Sequence, residues 1–229
     1  MKKKIAIVDD DAESRDSLAF LVEDAGYEPK LITGKFGNEK QLLIDAIREM
    51  EAFGVISDHR LSHGHLASFY GSELLASLYD LRIPSILITQ FFDLDADTSI
   101  RKYRDKLPVV IARGQQSPES IGDLLEFSQK ELVNGPTASR KPHRALIRID
   151  DYSLGRQDGL IEGVITNWNS EFIVKFPAEL IPEEVKRKMS GSDINRLMAF
   201  VNTGASDYRD IFITDIHLAP KFEGIDELS

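Results

Sequence analysis

Two short apolar runs, each ending abruptly in acid, constrain this chain more than any other feature. Phe53-Gly-Val-Ile-Ser57 has the length of a strand, is rich in β-formers and stops at Asp58. Lys4-Ile-Ala-Ile-Val8 stops the same way at Asp9-Asp10-Asp11. Such a run fits a strand covered on both faces, as in a parallel sheet. In open α/β sheets, chemistry collects at the carboxyl ends of these strands. If the two strands lie side by side, Asp9, Asp10 and Asp58 meet at one edge. Three carboxylates that close repel one another unless a hard cation or a proton intervenes, and oxygen-only ligands suit Mg²⁺. Acids at solvated strand ends would account for either run alone, and account less well for both once the spacing of the rest is added.

The intervening pattern predicts a parallel sheet. Asp11 or a neighbour can cap a helix over 12–25, with Leu18, Leu21, Val22 and Ala25 at helical spacing and Gly26 as a stop. Residues 29–33 read as a short edge strand. Asn38 is placed to cap a second helix whose stripe is Leu42, Leu43, Ala46 and Ile47. A third helix over 73–81, a strand over 83–89, a charged fourth helix over 97–106, a fifth strand over 107–112 and an amphipathic helix over 118–132 complete the series. Alternation of this kind puts helices on both faces of a five-stranded sheet.

The order and intervals of four pieces carry a resemblance. They are Ile7-Val8-Asp9-Asp10-Asp11 followed by Arg15, Val55-Ile56-Ser57-Asp58, Gly71-Ser-Glu-Leu-Leu75, and Pro84-Ser-Ile-Leu-Ile-Thr89. Residues 2–133 resemble the receiver domain of bacterial two-component response regulators. That resemblance implies a flavodoxin-like, doubly wound five-stranded parallel sheet. It implies that Asp58 accepts a phosphoryl group from a histidine kinase. Asp9, Asp10 and Asp58, with the backbone carbonyl of Arg60, would hold Mg²⁺, and the hydroxyl of Thr89 would sense the phosphoryl group. Arg113 stands where the family carries a lysine followed by proline, and here Gly114 comes next. Val110 occupies the place of an aromatic switch residue. Leu61-Ser62 replaces the usual Met-Pro, and the loop to Gly71 is longer than the family's. Arginine can still pair with a phosphoryl oxygen, but its planar fork does not substitute for a compact ammonium.

Three features invite other chemistry. His59, His63 and His65 suggest a transition-metal site, yet no fourth ligand is apparent and the loop is otherwise polar, so a solvated or partner-binding loop is the better reading. Phe91 and Phe92, after Gln90, read as packing under the next helix, with a contact surface as the alternative. A Mg²⁺-dependent phosphohydrolase using Asp58 as nucleophile would need a general acid two residues on, where Arg60 stands.

The pattern changes after residues 134–142, a turn-rich linker without periodicity. Residues 143–229 read as five strands with a helix, 182–189, before the fourth. This is the order of a small antiparallel β-barrel, OB-like, with a PilZ-type barrel as the alternative. Arg140 and Arg144 match the Arg-x-x-x-Arg start of PilZ domains, which use it on cyclic dinucleotide phosphates. The companion motif is missing at its normal distance: Asp151-Tyr-Ser153-Leu-Gly155 lies too close, and Asn167-Trp-Asn169 lacks serine and glycine. Trp168, Phe172, Phe176 and Phe212 could form a base-stacking face, but the acidic balance makes barrel core the preferred use. No helix-turn-helix, Walker loop or Gly-x-Ser-x-Gly elbow is present.

Composition narrows the function further. The 229 residues contain no cysteine, which excludes disulfides and thiolate metal sites, and carry a net charge of −10 spread over both halves. The three lysines at the start precede an apolar run far too short for a signal peptide, and no window approaches a membrane span. The expectation is a cytoplasmic signalling protein, not an enzyme: a response regulator with a histidine kinase as partner, a homodimer through the receiver among the arrangements open to it, and an unknown protein target. A receiver that no longer switches and serves as an interaction scaffold is the alternative. An acidic chain without a recognition helix should not bind duplex DNA specifically. Gel shifts against random duplexes at physiological salt are expected to show no salt-resistant, sub-micromolar complex.

Overall fold

The computed structural model describes residues 2–151, 159–189 and 195–220, without the side chains of Asp150 and Asp151. Two compact units divide it, Met1–Thr137 and Ala138–Ser229. The boundary falls within the stretch expected to be a linker.

In the first unit the strands are β1 (Lys4–Val8), β2 (Glu28–Leu31), β3 (Gly54–Asp58), β4 (Ser85–Thr89) and β5 (Val110–Ala112), all parallel, in the order β2-β1-β3-β4-β5. The helices are α1 (Ala12–Asp24), α2 (Lys40–Glu49), α3 (Gly71–Asp80), α4 (Phe92–Ala96) and α5 (Pro118–Asn134). Why the apolar runs are continuous is visible in the packing. Successive strand side chains point to opposite faces, so Ala6, Val8, Val55 and Leu87 meet Leu43, Ile47, Leu74 and Leu78 of α2 and α3. Ile5, Ile7, Ile56 and Ile86 instead meet Leu18, Val22, Ile121 and Leu125 of α1 and α5. Burial on both faces leaves no room for polar alternation.

Local signals explain the starts of α1 and α5. Asp11 caps α1 through Ser14 N–H at 2.8 Å, and Gly26 lies just beyond its end at φ +87°. A reciprocal Ser117–Ser120 capping box with Pro118 at the first turn starts α5. The α2 terminus differs from expectation: Glu39, not Asn38, is the cap residue, and no side chain bonds there. The fourth helix differs more. Only Phe92–Ala96 is α-helical, and a 3₁₀ turn covers Arg101–Lys106. Between them Ile100 N–H bonds Asp95 C=O, five residues back, and Arg101 and Arg104 are buried. Packing of two long cations has overridden the continuous helix expected over 97–106.

The second unit is a five-stranded antiparallel sheet of β6 (His143–Asp151), β7 (Leu160–Ile165), β8 (Ile173–Pro177), β9 (Arg196–Val201) and β10 (Ile213–Leu218), ordered β10-β9-β6-β7-β8. Helix α6 (Glu183–Met189) lies between β8 and β9 in the chain and buries Val185 and Met189 in the core. The sheet is curled into a half-barrel consistent with a small β-barrel domain. Among the described residues its edge strands β8 and β10 are not paired with each other. Asn202, fully buried, accepts Phe212 N–H at 2.7 Å and donates to Asp210 C=O at 3.0 Å, satisfying the turn that feeds β10. No helix among the described residues is long and apolar enough to cross a membrane.

Gly71 opens α3 directly over the end of β3. A Cβ there would lie 1.9 Å from Asp58 C=O and 2.7 Å from Ser57 Oγ, so the backbone approach requires glycine. Gly71→Ala is expected to cost about 3 kcal/mol, through displaced backbone at the end of β3; denaturant unfolding of the variant measures this.

Candidate functional site

Parallel pairing brings four strand ends together. Val8 pairs with Ser57, Asp58 with Ile88 and Thr89 with Ala112, so Asp9, Asp58, Thr89 and Arg113 leave the sheet at one edge. Arg113 N–H extends the ladder one step, bonding Thr89 C=O at 2.8 Å. A cleft of about 300 Å³ opens here, lined by Asp9, Asp10, Asp58, Thr89, Phe91 and Arg113 among others.

Inside it a single guanidinium nitrogen bridges two acids. Arg113 Nη2 donates to Asp9 Oδ2 at 2.8 Å and to Asp58 Oδ1 at 2.5 Å. The remaining oxygens are also engaged: Asp58 Oδ2 accepts Arg60 N–H at 2.7 Å, and Asp9 Oδ1 accepts Asp11 N–H at 2.9 Å. Arg15 Nη1 donates to Asp9 C=O at 2.9 Å. Burial raises both carboxyl pKa values above the ordinary range, opposed by the bond to Arg113; for Asp58 the charge of Asp9 adds to the rise. For Arg113 burial works downward, but its bonds to Asp9 and Asp58 win and raise its pKa.

Asp10 is placed differently from its neighbours. Its Oδ2 accepts Gly64 N–H at 2.5 Å, and a Cβ on Gly64 would lie 2.1 Å from Asp10 C=O. The long loop after β3 therefore folds back onto an acid of the turn between β1 and α1. Among the described residues no three acids or histidines are disposed to share one metal ion. His59, His63 and His65 do not converge: His59 is fully buried and stacked on Tyr70 at 4.8 Å, whereas the other two are exposed. Burial pushes the His59 pKa down to about 4, with Asp95 opposing and Arg60 assisting.

Sequence reasoning missed Asp95. This buried carboxylate accepts Thr89 Oγ1 at 3.0 Å on one oxygen and Arg60 Nη2 at 2.8 Å on the other. The Arg60 guanidinium also lies 4.4 Å above the Phe91 ring. Placing the fourth helix at residue 97 hid Asp95, and only its acid type in the run Asp93-Leu-Asp95-Ala-Asp97 could have drawn notice. The two aromatics divide their roles: Phe92 packs on the core, while Phe91 is 40% exposed beside the cleft.

In the second unit the expected candidates separate. Arg140 is buried with its guanidinium 5.5 Å from the Phe212 ring, whereas Arg144 is exposed. Tyr152 to Gly155, the close-lying companion motif, fall outside the described residues. Phe176 and Phe212 are buried. Trp168 donates to Ala205 C=O at 2.7 Å, and Phe172 stacks on Tyr208 at 5.2 Å.

The raised carboxyl values fix a sign. The folded state holds protons at Asp9 and Asp58 more tightly than the unfolded chain, so stability falls as pH rises from about the ordinary carboxylate value through the raised ones. Asp58→Asn is therefore expected to raise the midpoint of thermal unfolding at pH 7, with the gain shrinking as pH drops toward about 4. A pH series of melts on both proteins checks it.

No protein-family model matches the chain, and no curated protein matches it either. Among solved structures it is similar to a response regulator receiver domain protein from Clostridium thermocellum, with 16% identity over 56% of this chain and 95% of that one and a TM-score of 0.44. A putative response regulator from Chloroflexus aurantiacus J-10-fl shares 18% identity over 58% of this chain and 99% of that one, with a TM-score of 0.43. NtrX from Brucella abortus shares 20% identity over 62% and 31% of the two chains, with a TM-score of 0.45.

Proposed function

We propose that the first unit is a receiver of a two-component phosphorelay in which Asp58 accepts a phosphoryl group from a histidine kinase. The observation that carries this reading is the convergence of Asp9, Asp58, Thr89 and Arg113 from four adjacent strand ends on one cleft. In the step, an Asp58 carboxylate oxygen attacks phosphorus and the N–P bond of the phosphohistidine breaks. Its electron pair stays on the imidazole, which takes a proton from water. Little covalent work falls to the protein in such a transfer; positioning and charge stabilisation dominate. Arg60 N–H orients the attacking carboxylate, and the Arg113 guanidinium stands ready for the charge on the equatorial oxygens.

The residues fit Mg²⁺ by chemistry. One oxygen each of Asp9 and Asp58 already shares a single cationic nitrogen, so the pair can share one small cation. Asp9 and Asp58 with the Arg60 carbonyl would hold it, all oxygen donors, and Asp10, whose Oδ2 accepts Gly64 N–H, would join them by leaving that bond. When bound it supplies neutralisation of the transferring oxygens. Arg113 competes for the same carboxylates and Gly64 for Asp10, so binding is weak.

The rest of the assignment depends on the receiver reading. The protein works in the cytoplasm as a signalling protein rather than an enzyme. Residues 1–133 receive, the stretch 134–142 connects, and the half-barrel signals through protein contacts. A non-switching scaffold is the second reading, favoured by one observation: in this structure Arg113 and Arg60 N–H already occupy the acceptor carboxylate.

Incubation with acetyl phosphate and Mg²⁺, read by intact mass, separates the two. Addition of one phosphoryl group is expected, abolished in Asp58→Asn and in Asp10→Ala. With Val110 in place of a ring that could swing inward, hydrogen exchange is expected to change most around Thr89 to Phe92. An unmodified chain would establish the scaffold.

A further inference from the structure

We infer that Asp95 is the resident acceptor that holds the Thr89 hydroxyl and the Arg60 guanidinium while Asp58 is unmodified, and that it yields both to a phosphoryl group there. This rests on the reading of Asp58 as acceptor and deepens it, because it names how the state of Asp58 reaches α4.

The stoichiometry of hydrogens makes the two acceptors exclusive. A threonine hydroxyl has one proton. Thr89 gives it to Asp95 Oδ2 at 3.0 Å, and its oxygen accepts Phe91 N–H at 3.1 Å. It cannot at the same time donate to an anion on Asp58. Arg60 is divided in a similar way. Its backbone N–H lies 2.7 Å from Asp58 Oδ2, which roots it at the acceptor, while its side chain runs past Phe91 to Asp95 Oδ1. The phosphoryl group carries about −1.5 to −2 charges at neutral pH and three strong acceptor oxygens, against a single charge on Asp95.

Asp95 in turn organises the backbone from Phe91 to Ile100. It is 4% exposed, and a buried carboxylate is costly without donors to its oxygens. Its backbone N–H bonds Phe91 C=O at 2.9 Å, and its carbonyl accepts both Thr98 N–H and Ile100 N–H. Helix α4 has only five residues and no side-chain cap at its start. Removing the two side-chain donors therefore loosens the stretch from Phe91 to Ile100 as a unit.

The test compares the full chain with Asp95→Asn, which keeps the volume and one acceptor oxygen but removes the charge. Both are treated with acetyl phosphate and Mg²⁺ and followed by intact mass and hydrogen exchange. Asp95→Asn is expected to prolong the phosphoryl group on Asp58 about tenfold, the weight of one charge-assisted hydrogen bond. A merely structural loss would shorten it. In the Arg60→Met background the effect of Asp95→Asn is expected to shrink, because part of it acts through Arg60. In the parent, modification is expected to speed exchange across Phe91 to Ile100 but not in α1 or α2, a reading that needs no variant to fold. Equal phosphoryl lifetimes, or no faster exchange in that stretch of the modified parent, would overturn the role of Asp95 and leave Asp58 as acceptor. No modification of either protein would remove the acceptor reading and this inference together.

Discussion

Two buried carboxylates cannot share one edge of a sheet without a positive charge or a proton between them, and Arg113 supplies the charge. Its Nη2 touches both Asp9 and Asp58. Removing two acids from water is costly even when they are paired, and their raised pKa values record that burial still outweighs the cation. The arrangement holds only because β1, β3, β4 and β5 end at the same level. That level depends on parallel register, which depends in turn on apolar runs buried on both faces. Gly71 belongs to the same constraint, since α3 must start within contact of Asp58 C=O.

A second charged pair sits behind the first. Asp95 holds the donors of Thr89 and Arg60, and Arg60 reaches Asp58 through its own backbone. The site thus has two anionic centres, Asp58 and Asp95, and a small set of donors that cannot serve both fully. Any added negative charge on the first centre is felt at the second. The free energy at stake is that of one or two charge-assisted hydrogen bonds, enough to shift a local equilibrium and not enough to reorganise the sheet.

The half-barrel obeys different physics. Its core comes from one face of a curled antiparallel sheet, with α6 adding Val185 and Met189. The polar groups that would suggest a ligand are largely spent on the fold. Asn202 satisfies the turn before β10, and Trp168 ties to Ala205. Arg140 lies against Phe212.

Periodicity and strand-end acids were sufficient to read the parallel sheet and to bring Asp9 and Asp58 together, because apolar patterning tracks burial and parallel strands end together; Thr89 and Arg113 were named from the resemblance to receiver domains. The start of α1, capped by Asp11, was legible for the same local reason. Asp95, the break between α4 and the 3₁₀ turn, and the diversion of Asp10 to Gly64 were not. Each depends on a contact between residues far apart in the chain or on the burial of long cations, and no local propensity encodes either. The sequence by itself determined which chemical groups arrive at the edge of the sheet. Only the tertiary structure decided which of them are already committed to one another, since a hydrogen bond is settled by which donor comes within about 3 Å of which acceptor.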